Sequence, residues 1–202
     1  MKQIDCSKSR SEEPENQKHQ NESLLKIGDK EHATRVLFSQ ESIQGRVAEL
    51  ACEIEQRLPP GLDIVVLVVL DGAMIFAADL IRQMKRSILV ETVKLKSYSG
   101  MSSTGNISLV QPVSPSLRGK HVLVVEDIVD TGKSLKRLCE ELEKVGAASV
   151  HVACLLAKPE CHIEKVQVDF IGYSVGKNFV IGYGLDADGR YRNLPYIAEV
   201  LL

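Results

Sequence analysis

Three carboxylates and a short polar turn near the middle of the chain have the residue types and spacing of a chemical site. Glu126 and Asp127 follow the apolar run Val-Leu-Val-Val, Asp130 comes three residues later, and Thr-Gly-Lys-Ser at residues 131–134 opens a helical pattern. Backbone N–H groups at such a strand-to-helix turn lack intrahelical partners and bind anions. With acids beside it, the turn predicts a ligand that carries a phosphate together with sugar hydroxyls or a metal ion.

Three other interpretations of this segment are weaker. A nucleoside-triphosphate P-loop needs a glycine five residues before Gly132, and Asp127 stands there instead. A phosphoacceptor receiver domain places its acidic pair on its first strand, whereas Glu126 lies well past the middle of the chain. Solvated acids at a strand end, stabilised by a helix dipole, would account for an isolated pair but explain the whole ordered string poorly.

The apolar pattern around this segment predicts an α/β domain. Runs such as Ile64–Leu70 do not alternate with polar residues, which is typical of strands buried on both faces. Strands that alternate with helices favour one mainly parallel sheet covered on both faces. Helices are predicted from Ser39, with Ser42 as a rival N-cap, to Pro59, at 74–84 and at 133–145 before Gly146. Strands are predicted at 34–38, 64–70, 89–96, 122–126, 149–156, 166–173 and 180–185.

Polar clusters follow several of these predicted strands. Besides the central acids, Asp71-Gly72, Lys158 and Asp186 each come at the end of a strand. Ligands of open parallel sheets bind at the carboxyl ends of the strands. We therefore expect these residues to meet at one edge of the sheet.

Composition and charge narrow the class of protein. The 202 residues suit one domain, and the 25 basic and 27 acidic residues give a net charge of −2 without indicating a broad nucleic-acid surface. The longest strand-like apolar run is too short to cross a bilayer, and residues 1–10 have no apolar export segment. We expect a cytoplasmic protein without nucleic-acid or membrane partners, with a disordered polar tail at residues 1–30 and a single domain at residues 31–202.

The central string resembles the phosphoribosyl-diphosphate binding motif of type I phosphoribosyltransferases. Within that superfamily, residues 37–202 are similar to hypoxanthine–guanine phosphoribosyltransferases through the segments 70–73, 96–100, 156–158 and 178–186 and through Arg192. The resemblance implies the type I fold, with a small hood formed by terminal segments and a flexible lid loop. It also implies a homodimer or homotetramer.

The resemblance further implies a magnesium-dependent transferase of purine salvage. The enzyme would transfer 5-phosphoribosyl from phosphoribosyl diphosphate to N9 of a 6-oxopurine, hypoxanthine or guanine, and release pyrophosphate. Asp130 would be the catalytic base that faces purine N7. Mg²⁺ would be held near Glu126, Asp127 and Asp186.

The other implied roles are assigned residue by residue. The sugar phosphate would be bound by Glu126, Asp127, Ile128, Val129, Asp130, Thr131, Gly132, Lys133 and Ser134. Pyrophosphate would be bound by Asp71, Gly72 and Arg192. The purine would be bound by Lys158, Phe179, Val180 and Asp186, with Lys158 donating to O6 and Phe179 stacking on the ring. The lid would close through Ser97 and Tyr98.

One position departs from the family pattern, because Asp71 stands where the family usually has lysine or arginine. We expect the backbone amides of Asp71 and Gly72 to hold pyrophosphate across a cis Leu70–Asp71 bond. The acidic side chain should turn to a basic partner or to magnesium-bound water. Alternative functions are a same-fold transferase that prefers xanthine, a regulatory homologue that binds nucleotide or RNA, and a catalytically silent scaffold.

Overall fold

The computed structural model describes residues 22–97, 107–110 and 112–201. Its helices are α1 (Gln40–Arg57), α2 (Met74–Gln83) and α3 (Lys133–Val145). Its strands are β1 (Glu22–Ile27), β2 (Lys30–Phe38), β3 (Ile64–Leu70), β4 (Ile88–Ser97), β5 (Ile107–Leu109), β6 (His121–Val129), β7 (Ser149–Ala157), β8 (Phe170–Ser174), β9 (Phe179–Ile181) and β10 (Ile197–Leu201).

The central sheet has the strand order β5-β4-β3-β6-β7-β8. Strands β4, β3, β6, β7 and β8 are parallel, and β5 adds an antiparallel edge. The predicted α/β fold with a mainly parallel sheet is therefore confirmed. Parallel pairing also brings the carboxyl ends of β3, β4, β6 and β7 to the same edge of the sheet.

Helices cover both faces of this sheet, because its inner strands are apolar on both sides. Val66 and Val68 pack into the core beneath α1 and α2, whereas Val65 and Leu67 pack into the core beneath α3. The Ser39 hydroxyl caps α1 by accepting a hydrogen bond from the Ser42 amide at 3.3 Å. The predicted start of α1 is thus confirmed, as is the end of α3 at Gly146, which adopts a φ of 87°.

A second, antiparallel sheet with the order β1-β2-β10-β9 forms the hood from both terminal segments. The hood was predicted, but the tail boundary at residue 30 falls inside its first hairpin, since residues 22–30 form β1 and the turn into β2. The short strand predicted at 34–38 likewise begins earlier, at Lys30. These strands carry many exposed polar residues, so their apolar signal is weak.

Two other predicted strands are shorter than expected. The strand predicted at 166–173 begins only at Phe170, in β8, and the Asp169 side chain just before it accepts the Val152 amide at 2.9 Å. The strand at 180–185 ends at Ile181, where Gly182 and Gly184 adopt positive φ values and fold the chain into a tight turn. Among the described helices, none has the length and apolar character needed to cross a bilayer.

Candidate active site

The turn between β6 and α3 presents a row of free backbone donors. In the described part of the chain, the amides of residues 131–134 donate no hydrogen bond. The rear of the turn is fixed, because the Thr131 carbonyl accepts the amides of Ile163 at 3.0 Å and Glu164 at 3.2 Å. Gly132 has a φ of 79°, and a Cβ there would lie 3.1 Å from the Glu164 carbonyl oxygen. This cradle of residues 131–134 therefore has the geometry of an anion-binding site at a helix N-terminus.

The acidic pair lies within β6, whereas the strand had been predicted to end at Glu126. The Glu126 side chain accepts the Asp127 amide at 3.2 Å, and Asp127 Oδ1 accepts the Ile128 amide at 2.9 Å. Burial raises the pKa of Glu126 well above its usual range, and the charge of Asp127 adds to the rise. Burial also raises the pKa of Asp127, while the positive charge of Arg192 opposes that rise. Ionising either carboxyl group is therefore unfavourable in the free protein, and such perturbed pKa values are typical of functional sites.

The turn after β3 approaches these acids closely. A Cβ on Gly72 would lie 1.8 Å from Asp127 Oδ2, so no side chain fits between them. Gly184 packs against the same turn, since its own Cβ would lie 2.2 Å from the Gly72 carbonyl oxygen. The Leu70–Asp71 peptide bond is cis, as predicted. Neither the Asp71 amide nor the Gly72 amide donates a hydrogen bond to a described residue.

Asp71 turns to a basic partner, which was one of its two predicted environments. Lys94 Nζ donates to both carboxylate oxygens, at 2.9 Å and 2.7 Å. These hydrogen bonds lower the pKa of Asp71, and the charge of Arg192 lowers it further. Lys94 was not among the predicted site residues, although it lies near the end of a predicted strand beside β3. Its proximity to Asp71 can be inferred only once β3 and β4 are known to be parallel neighbours.

Arg192 and Asp186 are bonded to one another at the same edge. Arg192 Nη2 lies 2.7 Å from Asp186 Oδ1, and its Nη1 donates to the Gly184 carbonyl at 2.5 Å. The Gly189 amide donates to Asp186 Oδ2 at 2.8 Å. The positive charge of Arg192 also lowers the pKa of Asp71 and opposes the rise in the pKa of Asp127.

A buried ammonium closes the other side of the cradle. Lys158 is only 6% exposed, and its Nζ lies 3.8 Å from Asp130 Oδ2 and 3.5 Å from the Lys177 carbonyl oxygen. Both distances are long for an ammonium, which normally makes closer hydrogen bonds. The Lys158 amide is anchored on the Val129 carbonyl at 2.9 Å. The ammonium is therefore held in place with donor capacity left for a ligand.

The remaining predicted residues lie on the hood and at the start of the predicted lid segment. Phe179 is the first residue of β9 and is 44% exposed, while Val180 is buried opposite Glu199 of β10. Phe179 comes two residues after the carbonyl that receives Lys158. Ser97 ends β4, and Tyr98 and the predicted lid loop lie outside the described residues.

One buried link of the site was missed because its partners are distant in sequence. The Tyr183 hydroxyl donates to Asp79 Oδ2 at 2.6 Å, tying the turn at 182–185 to α2. Burial, followed by this hydrogen bond, strongly raises the pKa of Tyr183. Since α2 begins directly after the Asp71-Gly72 turn, the link holds two walls of the site together.

The acidic groups suit a magnesium ion that is bound mostly by water and substrate. Within the described residues, no group of three or more His, Cys, Asp or Glu side chains could hold a metal by itself. Mg²⁺ typically takes one or two carboxylates together with water and phosphate oxygens, which matches Glu126 and Asp127. Asp186 differs, because both of its oxygens are already bonded to Arg192 and the Gly189 amide.

Comparisons with known proteins agree on one family. A family model described as a phosphoribosyl transferase domain matches residues 37–188. The chain is 39% identical over 173 residues to hypoxanthine phosphoribosyltransferase of Escherichia coli strain K12, which covers 85% of this chain and 97% of that protein. It is 36% identical over 164 residues to hypoxanthine-guanine phosphoribosyltransferase of Streptococcus pneumoniae strain R6, covering 81% and 91%. A solved hypoxanthine-guanine phosphoribosyltransferase from Bacillus anthracis superposes with a TM-score of 0.78 at 36% identity, covering 87% of this chain and all of that one.

Proposed function

The chain belongs to the phosphoribosyl transferase family, and from that premise we propose that it is a purine-salvage enzyme. It transfers 5-phosphoribosyl from phosphoribosyl diphosphate to N9 of hypoxanthine, guanine or both, releasing pyrophosphate. The names of its relatives support this reaction. The observation that carries it is the buried Lys158 ammonium beside Asp130, at the mouth of an amide-lined cradle.

The cradle suits the sugar phosphate of the substrate. The free amides of residues 131–134 and the hydroxyls of Thr131 and Ser134 would bind the 5′-phosphate. Glu126 and Asp127 would accept hydrogen bonds from the ribose 2′- and 3′-hydroxyls. Binding there offsets part of the desolvation that raises their pKa values in the free protein.

Mg²⁺ would be held by Glu126 and Asp127 through water and substrate oxygens. Bound there, it would supply positive charge for the departing pyrophosphate. Asp186 could contribute only after releasing Arg192, since the two groups are 2.7 Å apart.

The purine would lie between the cradle and the hood. Asp130 accepts the N7 proton as N9 attacks, and Lys158 donates to O6. Adenine has an amino group where these bases have O6, so a buried cationic donor selects against it. Phe179 presents an exposed ring for stacking, and the backbone at Val180 would meet the purine 2-position.

Pyrophosphate would be released on the side of the β3 turn. The amides of Asp71 and Gly72 and the guanidinium of Arg192 would hold it. Loss of pyrophosphate leaves positive charge on the ribosyl group, which the nearby carboxylates of β6 stabilise. Closure by a lid containing Ser97 and Tyr98 stays a prediction, as do the cytoplasmic location and the homodimeric or homotetrameric state.

A turnover assay with four bases tests the proposal. Purified protein with phosphoribosyl diphosphate and Mg²⁺ should form nucleotide and pyrophosphate with hypoxanthine, guanine or both, and much more slowly with adenine. A strong preference for xanthine would favour the alternative same-fold transferase. Absence of transfer to all of these bases would contradict the proposal.

A further inference from the structure

The Asp71-Gly72 turn, which is proposed to bind pyrophosphate, contains a carboxylate, and a carboxylate beside a bound anion is unfavourable. Asp71 supplies one of the two free amides of the turn and also a side chain that is 51% exposed. A like charge about 4 Å from a bound anion weakens binding roughly fivefold in bulk water, and more where water is excluded. Something must therefore offset the charge of Asp71 if the turn binds pyrophosphate.

The two residues of the turn face opposite neighbouring strands. Strand β3 lies between β4 and β6, and Leu70 pairs with Lys94 in the parallel register of β3 and β4. Gly72 lies against Asp127 of β6, whereas the carboxylate of Asp71 is drawn toward β4. The acid and the close approach to Asp127 are thus on opposite sides of the turn.

Lys94 is the cation bonded to this carboxylate. Its Nζ donates to both oxygens, and its side chain is 47% exposed, so the pair is held at the surface of the site. Arg192 is the other cation close enough to act on Asp71, but its guanidinium is bonded to Asp186 and to the Gly184 carbonyl. In the described residues, Lys94 alone forms an ion pair with Asp71.

We propose that Lys94 is a positioning residue for the pyrophosphate subsite: it neutralises Asp71 and holds that carboxylate on the β4 side, which leaves the amides of Asp71 and Gly72 open to the anion. This inference rests on the proposed function. Lys94 acts through Asp71 and does not itself contact the substrate. An exposed ion pair adds little to folding stability, so the test must measure substrate binding.

Two variants, Lys94→Met and the same change combined with Asp71→Asn, separate this role from direct contact with the substrate. Lys94→Met should raise KM for phosphoribosyl diphosphate about tenfold at low ionic strength, with kcat changed much less, because it exposes the anion to an unpaired carboxylate. The increase should shrink at high salt, since exposed charges are screened. Asp71→Asn added to Lys94→Met should restore KM to within about twofold of the parent, because the repelling charge is gone. Lys144→Met, which removes an exposed lysine paired with Glu141 on α3, is the matched control and should change nothing.

Three results would overturn the inference. KM unchanged in Lys94→Met would mean that Asp71 does not act on the substrate. KM still raised in the double variant would mean that Lys94 touches the substrate itself. Calorimetric titration of each variant with magnesium pyrophosphate measures binding to this subsite without turnover. Equal affinity for pyrophosphate in all variants would also contradict the inference. A parent protein that binds pyrophosphate yet transfers to no 6-oxopurine would instead contradict the proposed function.

Discussion

Lys158 Nζ lies 3.8 Å from Asp130 Oδ2, and the ammonium is buried while the carboxylate is half exposed. O6 and N7 lie on the same edge of a 6-oxopurine. One fixed donor and one nearby acceptor therefore match that edge, with the donor for O6 and the carboxylate for the proton of N7. The pair joins two motifs that are 28 residues apart, because Asp130 directly follows β6 and Lys158 directly follows its parallel neighbour β7.

Removing the donor should reduce selectivity for the base. In Lys158→Met, we expect kcat/KM for hypoxanthine to fall at least about tenfold, because a charge-assisted hydrogen bond of roughly 1.5–3 kcal/mol is lost. KM for phosphoribosyl diphosphate should change little. Steady-state kinetics measure kcat/KM for hypoxanthine and for adenine, whose ratio is the selectivity, and KM for phosphoribosyl diphosphate.

The control for this variant is Lys177→Met. Lys177 presents its carbonyl to Lys158, but its own ammonium is exposed and lies 3.7 Å from Glu160. This variant should keep the parent selectivity. Equal losses for hypoxanthine and adenine in Lys158→Met would show that Lys158 supports the fold of the pocket without reading O6.

The acidic pair should cost stability at neutral pH. Burial raises the pKa of Glu126 above its unfolded value, so the folded state binds more protons than the unfolded state between those two values. The free energy of unfolding therefore falls as pH rises through that window, and the loss persists above it. Glu126→Gln removes the titration, so it should stabilise the protein at pH 7 by on the order of 1 kcal/mol and reduce activity.

Thermal unfolding at two pH values checks this expectation. The gain in Tm from Glu126→Gln should be larger at pH 7 than near pH 4.5, where a raised carboxyl is already protonated. Glu160→Gln, at an exposed position, should shift Tm little at either pH. A destabilised Glu126→Gln at pH 7 would mean that the charged carboxylate is well paired in the folded protein.

Gly72 should tolerate no side chain. Gly72→Ala places a Cβ where it would meet Asp127 Oδ2 at 1.8 Å, so the turn or the carboxylate must move. Because displacements near 1 Å in a reacting site can reduce rates about a hundredfold, we expect a fall of that order in kcat/KM for phosphoribosyl diphosphate. Gly45→Ala, where α1 leaves open space, is the control. Normal kinetics in Gly72→Ala would mean that the turn after β3 takes no part in binding phosphoribosyl diphosphate.

The inner sheet and its helices could be predicted because each is determined by residues within its own segment of the sequence. Six of the seven residues of β3 are buried and apolar, so the strand is readable as a continuous run. The Ser39 cap and the left-handed Gly146 mark helix ends through their own side-chain and backbone chemistry. The cradle at 131–134 follows from the same local rules.

The rest depends on partners that are distant in sequence. Lys94 is one of several charged residues on β4, and only its pairing opposite Leu70 brings it to Asp71. Tyr183 and Asp79 are 104 residues apart, so no spacing reveals their bond. The hood strands have polar outer faces and stabilise one another by cross-strand pairing, which a reading of each segment by itself does not detect.

The central claim is that Asp130 acts on the base while its neighbours hold the sugar phosphate. The decisive measurement is kcat for Asp130→Asn with hypoxanthine, together with the affinity of that variant for phosphoribosyl diphosphate. We predict that kcat falls about 10²–10⁴-fold while the affinity stays within a few fold, because the amide keeps the size of the side chain but accepts a proton poorly. Turnover close to that of the parent protein would contradict the account.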